Sequence, residues 1–253
     1  MARAGTIPAR TQSSIAVSAD NRSWFLVNAS PDLPRQIEQF APLRPHARQT
    51  RSTPIGGILL TDADLDHALG LVLLHQQEEP LIICASRSTR AKLRWVDQAL
   101  APSNRLSWRQ PPPDFFQLTA GLEFRAITVT DNSVAYEFRN QGTGKRFVIA
   151  PSVEELSAEL QTALNWCDAI LLDGSFWSND ELREFRTAPR SSSETGHLPV
   201  QHSISALRNC RAMLKVYSHI NNTNPMLAPE SVERREVESA GISIGEDGME
   251  FEI

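Results

Sequence analysis

The sequence predicts a layered α/β sandwich with mixed sheets, and three observations carry that reading. Apolar, β-rich runs open the chain. From residue 55 onward such runs alternate with amphipathic segments of helical period. No repeat or low-complexity segment interrupts the order. The 253 residues are read as one domain spanning 1–253. A chain of this size buries roughly 70–75% of its extended surface, so its core needs no staples.

Taken in order, residues 1–12 are polar and expected to be extended. "SSIAVSAD" (13–20) and "WFLVNAS" (24–30) flank Asp20-Asn21-Arg22 and read as a hairpin. "SPDLPRQIEQF" (30–40) offers Ser30 as N-cap, Pro31 at the first helical position, and Leu33, Ile37 and Phe40 at helical spacing. A connector rich in Pro, Arg and Thr follows (42–54). "IGGILLTD" (55–62) reads as a buried strand, and "LDHALGLVLLHQQ" (65–77) as a loop that continues into a helix. A strand at 80–86, a helix at 88–100, strands at 115–130, 133–140 and 145–151 come next. Residues 152–167 read as an amphipathic helix with Ser152 and Glu155 as a capping box. A strand at 169–176, a helix at 200–211, a strand at 213–220, a helix at 230–241 and a final strand complete the chain.

The net charge is −5 and no Lys/Arg run stands out, which argues against a nucleic-acid partner. Cys84, Cys167 and Cys210 lack CxxC spacing and read as reduced, buried thiols. No apolar run reaches the ~20 residues of a membrane span, and "MARAGTIPARTQSS" lacks a signal-peptide core. The expectation is a cytoplasmic protein without a membrane partner, with a homodimer open.

Chemistry concentrates at strand ends. Leu60 leads into "TDADLDH", Leu172 into "DGSFW" and Ser218 into "HINNTNP", while "ETGHLP" (194–199) precedes a helix. These loops carry Asp66, His67, Asp173, His197 and His219. Two imidazoles and one carboxylate hold a metal with open positions, and Asp66, His67 and His219 supply that set for Fe(II) with O2, or for zinc. Asp173 and His197 form a carboxylate–imidazole pair suited to proton transfer. Bland readings stand beside these. An Asp-His pair alone is a weak motif. Asp62 and Asp64 suit a turn and an N-cap better than a metal. His46, His75 and His202 read as surface or core histidines. Asn221, Asn222 and Asn224 suit a tight turn before Pro225, and Phe176 and Trp177 suit the core.

"TDADLDHALG" (61–70) resembles the first metal motif of the metallo-β-lactamase superfamily, Thr-His-x-His-x-Asp-His-x-x-Gly. Thr61, Asp66, His67 and Gly70 match it, whereas Asp62 and Asp64 stand in place of histidines. The resemblance implies that one metal site of a dinuclear pair is lost and the other kept. "ARTQSSIAVS" (9–18), "NASPDL" (28–33), "LLTDADLDHALGL" (59–71), "LLDGSFW" (171–177), "GHLP" (196–199), "HINNTNP" (219–225) and "DGMEFEI" (247–253) are together similar to the coenzyme PQQ synthesis protein B family.

That likeness implies an αββα sandwich and work in making pyrroloquinoline quinone (PQQ). It implies an iron-dependent hydroxylase acting on the tyrosine of a Glu-Tyr precursor, with O2 as co-substrate. Asp66, His67 and His219 match the family's metal ligands, with Zn a possible occupant of the isolated protein. Asp173 and His197 resemble the dyad of the superfamily's tRNA-processing branch. Arg10, Gln12 and Ser13 of "ARTQSS", and Asn222, are placed near the substrate, with Arg10 suited to a substrate carboxylate. The chain departs from the family pattern in three places. It starts after the Cys cluster that holds structural zinc, so an incomplete sheet edge is expected. "TVTDNSVAY" (128–136) runs through where the family has a His/Pro-rich stretch, and "IAPS" (149–152) replaces "YAPG". A carrier of PQQ or its precursor and a metallo-β-lactamase-type hydrolase stay open as alternatives.

Overall fold

A computed structural model describes residues 7–45, 53–74, 80–101, 106–184 and 190–253. His46 and His75 lie outside the described residues.

Two mixed sheets are stacked face to face, each strand sending alternate side chains to opposite faces. The first sheet holds β1 (Ile15–Val17), β2 (Trp24–Val27), β3 (Ile55–Leu59), β4 (Leu81–Cys84) and β5 (Leu106–Arg109), side by side in chain order. The β1–β2 pair is antiparallel, as the hairpin reading requires, and the rest are parallel. The second sheet holds β6 (Phe116–Thr119), β7 (Leu122–Thr128), β8 (Val134–Asn140), β9 (Arg146–Ala150), β10 (Ala169–Asp173), β11 (Leu214–Ser218) and β12 (Ser243–Ile244). Its first four strands form an antiparallel meander; β9 to β12 run parallel.

Val27, Leu59 and Cys84 of the first sheet meet Phe124, Tyr136, Phe138 and Ile149 of the second in one buried layer between the sheets. On the outer face of the first sheet, Leu26 and Ile58 pack against α1 (Leu33–Gln39), α2 (Leu65–Ala68), α3 (Arg87–Lys92) and α4 (Arg94–Leu100) through Leu33, Ala68, Leu93 and Val96. On the outer face of the second, Val148, Ile170 and Leu172 pack against α5 (Ala158–Trp166), α7 (Val200–Asn209) and α8 (Val232–Ser239) through Leu160, Ile204 and Val237. A short α6 (Glu181–Glu184) lies between α5 and α7 in sequence. The layers are therefore αββα, as the family resemblance implies. Cys84, Cys167 and Cys210 are free and buried, and burial pushes the Cys84 and Cys167 thiols up to about 12.

Several expected boundaries move, each for a tertiary reason. Helix α1 starts after Asp32 with Pro34 in its first turn, not after Ser30. The Ser30 hydroxyl is engaged instead with Gln36 Oε1 at 2.9 Å and with the Asp32 N–H at 3.2 Å. The helix expected through residue 77 stops at Ala68 and tightens into a 3-10 turn over Leu69–Leu73. There the Gly70 N–H donates to the Ala29 carbonyl at 2.8 Å, and a Cβ at Gly70 would stand 2.3 Å from the Ser30 oxygen. The Ser152/Glu155 capping box does not form. Val153 is pinned to Asp173, so α5 begins only after Ser157, whose Oγ accepts from the Leu160 N–H. The expected final strand shrinks to Ser243–Ile244 because the chain turns at Gly248, where φ is 80°. The 88–100 helix is two pieces meeting at Leu93, and β5 and α6 had no counterpart in the sequence reading.

Candidate metal centre

The C-terminal ends of β3, β10 and β11 open on one side of the sandwich and carry the polar loops expected from the sequence. From β3, Thr61 and Asp62 are buried and α2 presents Asp66 and His67 in its single turn. From β10 come Asp173 and Ser175, and from β11 comes His219. His197 arrives just before α7.

Asp66, His67 and His219 place one ligand atom each within 4.8 Å of the others. His219 Nε2 lies 3.1 Å from Asp66 Oδ2, and the His67 and His219 ring centroids are 4.7 Å apart. Two donors bound about 2.1 Å from one ion stand roughly 3.0–3.4 Å apart, so this spacing suits a shared cation. His67 is fully buried, and its Nδ1 stands 2.8 Å from Asp62. Its Nε2 is buried with no hydrogen-bond partner among the described residues. An orphaned buried nitrogen costs about 1–3 kcal/mol; a metal ion beside Asp66 removes that cost. The donor set therefore fits a metal.

Asp62 is the residue whose role the sequence left least specified. Its carboxylate accepts the His67 Nδ1–H, the Thr61 hydroxyl at 2.8 Å and the Asp64 N–H at 3.0 Å. It thus makes the expected turn and also orients His67. Asp64 is the N-cap residue of α2 by position, without a side-chain cap bond. Behind Asp62, Thr61 is held by Asn28, which accepts the Thr61 N–H at 2.9 Å and adopts a left-handed φ of 66° that Asn tolerates. Burial opposes ionisation of Asp62, but the charge and hydrogen bond of His67 hold its carboxyl below the usual range.

A second group, Asp173, His197 and His219, also places its donor atoms within 4.8 Å. Here the carboxylate is already saturated. Asp173 Oδ1 accepts from the Ser175 N–H at 3.0 Å and the Ser175 hydroxyl at 2.6 Å. Oδ2 accepts from the Val153 N–H at 3.0 Å and His197 Nδ1 at 2.7 Å. Those four bonds use about all the lone-pair sites a carboxylate has, which fits an anchor better than a ligand. Burial opposes ionisation of Asp173, yet His197 and His219 hold its carboxyl well below the usual range. Burial likewise opposes the His197 imidazolium, and Asp173 outweighs it and raises the ring above its ordinary value. Burial also opposes the His219 imidazolium; the carboxylates of Asp173 and Asp66 on either side of the ring override it and raise the ring to about 10. Asp66, despite burial, is drawn down to about 2 by His219 and His67.

Comparison with known proteins places this geometry. Residues 23–220 match the family model described as the beta-lactamase superfamily domain. A coenzyme PQQ synthesis protein B from Nitrosococcus oceani is 31% identical over 96% of this chain and 88% of its own length. That of Cupriavidus taiwanensis is 33% identical over 99% of this chain and 91% of its own length. The chain belongs to the coenzyme PQQ synthesis protein B family. A crystal structure of Zn(2+)-bound PqqB from Methylobacterium extorquens superposes with a TM-score of 0.91 at 28% identity, covering 100% of this chain and 91% of that one.

The other residues expected near the substrate are less gathered. In this chain Arg10 is half-buried and its guanidinium donates to the Gly245 carbonyl. Gly245 in turn donates to Tyr217, just before the His219 turn. Gln12 and Asn222 are exposed, and Ser13 is half-buried. The expected tight turn forms: the Asn224 N–H donates to the Asn221 carbonyl at 3.0 Å across Asn222, and the Asn224 side chain accepts from the Met226 N–H and donates to the Gly174 carbonyl. Phe176 and Trp177 are buried as expected, and the Phe176 ring meets His197 edge-on at 5.6 Å. Ser175 and Glu181 carry contacts that sequence reading did not assign. Glu181 accepts from the Trp177 N–H at 2.6 Å and the Thr223 hydroxyl at 2.5 Å, tying the β10 loop to the β11 loop. Among the described residues no helix is long and apolar enough to cross a membrane.

Proposed function

We propose that this chain is a mononuclear metal-dependent hydroxylase of PQQ biosynthesis, acting with iron and O2 on the tyrosine ring of a Glu-Tyr precursor. The observation that carries the reading is the buried His67 Nε2, without a partner among the described residues, beside Asp66 and His219, with Asp62 turned away to hold His67 from behind. Family membership supports the pathway. Asp66, His67 and His219 would hold the ion. Bound there, Fe(II) would supply a redox centre with open positions for O2 chemistry, and an external reductant would supply the two electrons that carry the second oxygen atom to water.

The protein's own groups have separate tasks. Asp62 fixes His67 with its proton on Nδ1, leaving Nε2 for the ion. Asp173 holds the Nδ1–H of His197, which leaves His197 Nε2 to take or deliver the phenol proton. Phe176 closes one side of that ring. Asp62 bonded to His67 leaves no second carboxylate–histidine cradle in the β3 loop, which favours one metal over the two of a dinuclear hydrolase.

The test is anaerobic reconstitution with Fe(II) and metal counting, then exposure to O2, a reductant and Glu-Tyr, read by mass. One iron per chain and a gain of one oxygen atom are expected. Iron without oxygenated product would favour a carrier of PQQ or its precursor. Absence of metal binding would sink both the ligand assignment and the hydroxylase reading.

A further inference from the structure

We infer that Ser175 is the positioning residue that sets which nitrogen of His219 faces the metal, by relaying the His219 Nδ1–H to the Asp173 carboxylate. The inference rests on the reading above that Asp66, His67 and His219 hold a metal.

Ser175 is 2% exposed, and its Oγ stands at a junction. It lies 2.7 Å from His219 Nδ1, 2.6 Å from Asp173 Oδ1, 2.9 Å from the His219 carbonyl and 3.2 Å from His197 Nδ1. A hydroxyl carries one proton and two acceptor positions. Two of these neighbours can only accept, Asp173 Oδ1 and the His219 carbonyl; the charged carboxylate is the stronger acceptor and the closer at 2.6 Å against 2.9 Å, so the Ser175 proton goes there. Ser175 Oγ then accepts at its other short contact, from His219 Nδ1–H. His197 already gives its Nδ1–H to Asp173 Oδ2 at 2.7 Å, so it does not compete for Ser175. The chain of donors is thereby fixed as His219 to Ser175 to Asp173. With Nδ1 carrying the proton, His219 Nε2 offers its lone pair to the ion.

Ser175 cannot be bypassed in this arrangement. His219 Nδ1 and Asp173 Oδ1 are 3.7 Å apart, too far for a direct hydrogen bond. His219 also sits at φ 54°, a backbone state that non-glycine residues seldom adopt. The Asn221 N–H donating to the Ser175 carbonyl at 3.1 Å ties that turn to the β10 loop. The serine therefore holds the ring of the one ligand that comes from β11.

The experiment compares wild type with Ser175→Ala, Ser175→Cys and Ser175→Thr by Co(II) titration and d–d absorption. It also records histidine nitrogen-15 shifts in the Zn-loaded wild type. Ser175→Ala is expected to weaken Co(II) binding about 10–100-fold and to alter the absorption bands. Ser175→Cys should fall between it and wild type, and Ser175→Thr should recover part of the loss. The wild-type shifts should show His219 protonated at Nδ1 and metal-bound at Nε2, a readout that does not need any variant to fold. Unchanged affinity and bands in folded Ser175→Ala, or metal on His219 Nδ1 in wild type, would overturn the inference while leaving the metal site standing. A wild type that takes up no Co(II) would overturn the metal site itself and the relay with it.

Discussion

The two halves of the site use opposite constructions. The N-terminal half is local: Asp62, Asp66 and His67 come from one loop, and His67 meets its outer carboxylate directly at 2.8 Å. The C-terminal half is assembled from distant segments. Asp173, His197 and His219 arrive from three loops, and His219 reaches its outer carboxylate only through Ser175. The local half depends on turn geometry and on one close backbone approach, at Gly70. The assembled half depends on one buried carboxylate that anchors two imidazoles and the Val153 backbone together. The contrast implies that damage on the N-terminal side stays confined to one ligand, while damage at Asp173 spreads.

Asp173→Asn should have the largest effect. An amide keeps one acceptor oxygen and turns an NH2 group toward donors that Asp173 now satisfies. Breaking a buried charged network of this kind costs about 3–5 kcal/mol. The loss should appear in urea unfolding of the metal-free protein, with the His197 and His219 ring resonances both displaced. A loss under 1 kcal/mol, or displacement of one ring alone, would break the picture of a shared anchor.

Asp62→Asn should have a smaller and narrower effect. It removes the carboxylate partner of His67 but leaves Asp173, Ser175 and His197 untouched. Metal affinity should fall about 10–100-fold, the usual cost of losing an outer-shell partner. Stability should fall by about 1–3 kcal/mol, since the donors at Thr61, Asp64 and buried His67 compete for one remaining oxygen. A competition assay with a chromophoric chelator measures the first, and denaturant unfolding the second. Affinity equal to wild type would show that the direct His67–Asp62 contact does not orient the ligand.

The same contrast explains what was legible in the sequence. Asp66 and His67 stand side by side after an apolar strand, so a local pattern reveals them. Asp173, His197 and His219 show no local pattern of that kind; they were legible as polar residues ending strands or preceding a helix and through the family resemblance, and the fold does bring them together. Ser175 was not legible. A serine two residues after an aspartate suits any turn, and its role depends on His219, 44 positions away. Asp62 reads as a turn residue, and it is one; its second bond, to His67, is invisible without the ring's orientation. The layered fold was legible because apolar period switches along the chain. Helix starts were less so, because tertiary bonds override local caps: Val153 goes to Asp173 and delays α5, and Gly70 packs on Ala29 and ends α2 early. Strand β5, a four-residue run of half-buried and exposed side chains, gave too short a signal.

The smallest expected effect is that of a one-unit change in pH on metal uptake, and it tests the charge of His219 where the two halves meet. Without metal, His219 lies between Asp66 and the Ser175–Asp173 pair and is raised from 6.5 to about 10. It therefore keeps its extra proton at neutral pH, and that pairing contributes stability fully present below pH 6.5 and lost as the pH rises through about 10. A metal must displace the proton from Nε2. Asp66, drawn down to about 2, is already ionised and releases none. Apparent affinity should then tighten about tenfold per pH unit, or about 1.4 kcal/mol, between pH 6.5 and 9. Calorimetry in buffers of different ionisation enthalpy should count about one proton released per ion bound at pH 7. A flat affinity over that range would mean that His219 is already neutral in the metal-free protein. The two carboxylates would then orient the ring without holding its charge.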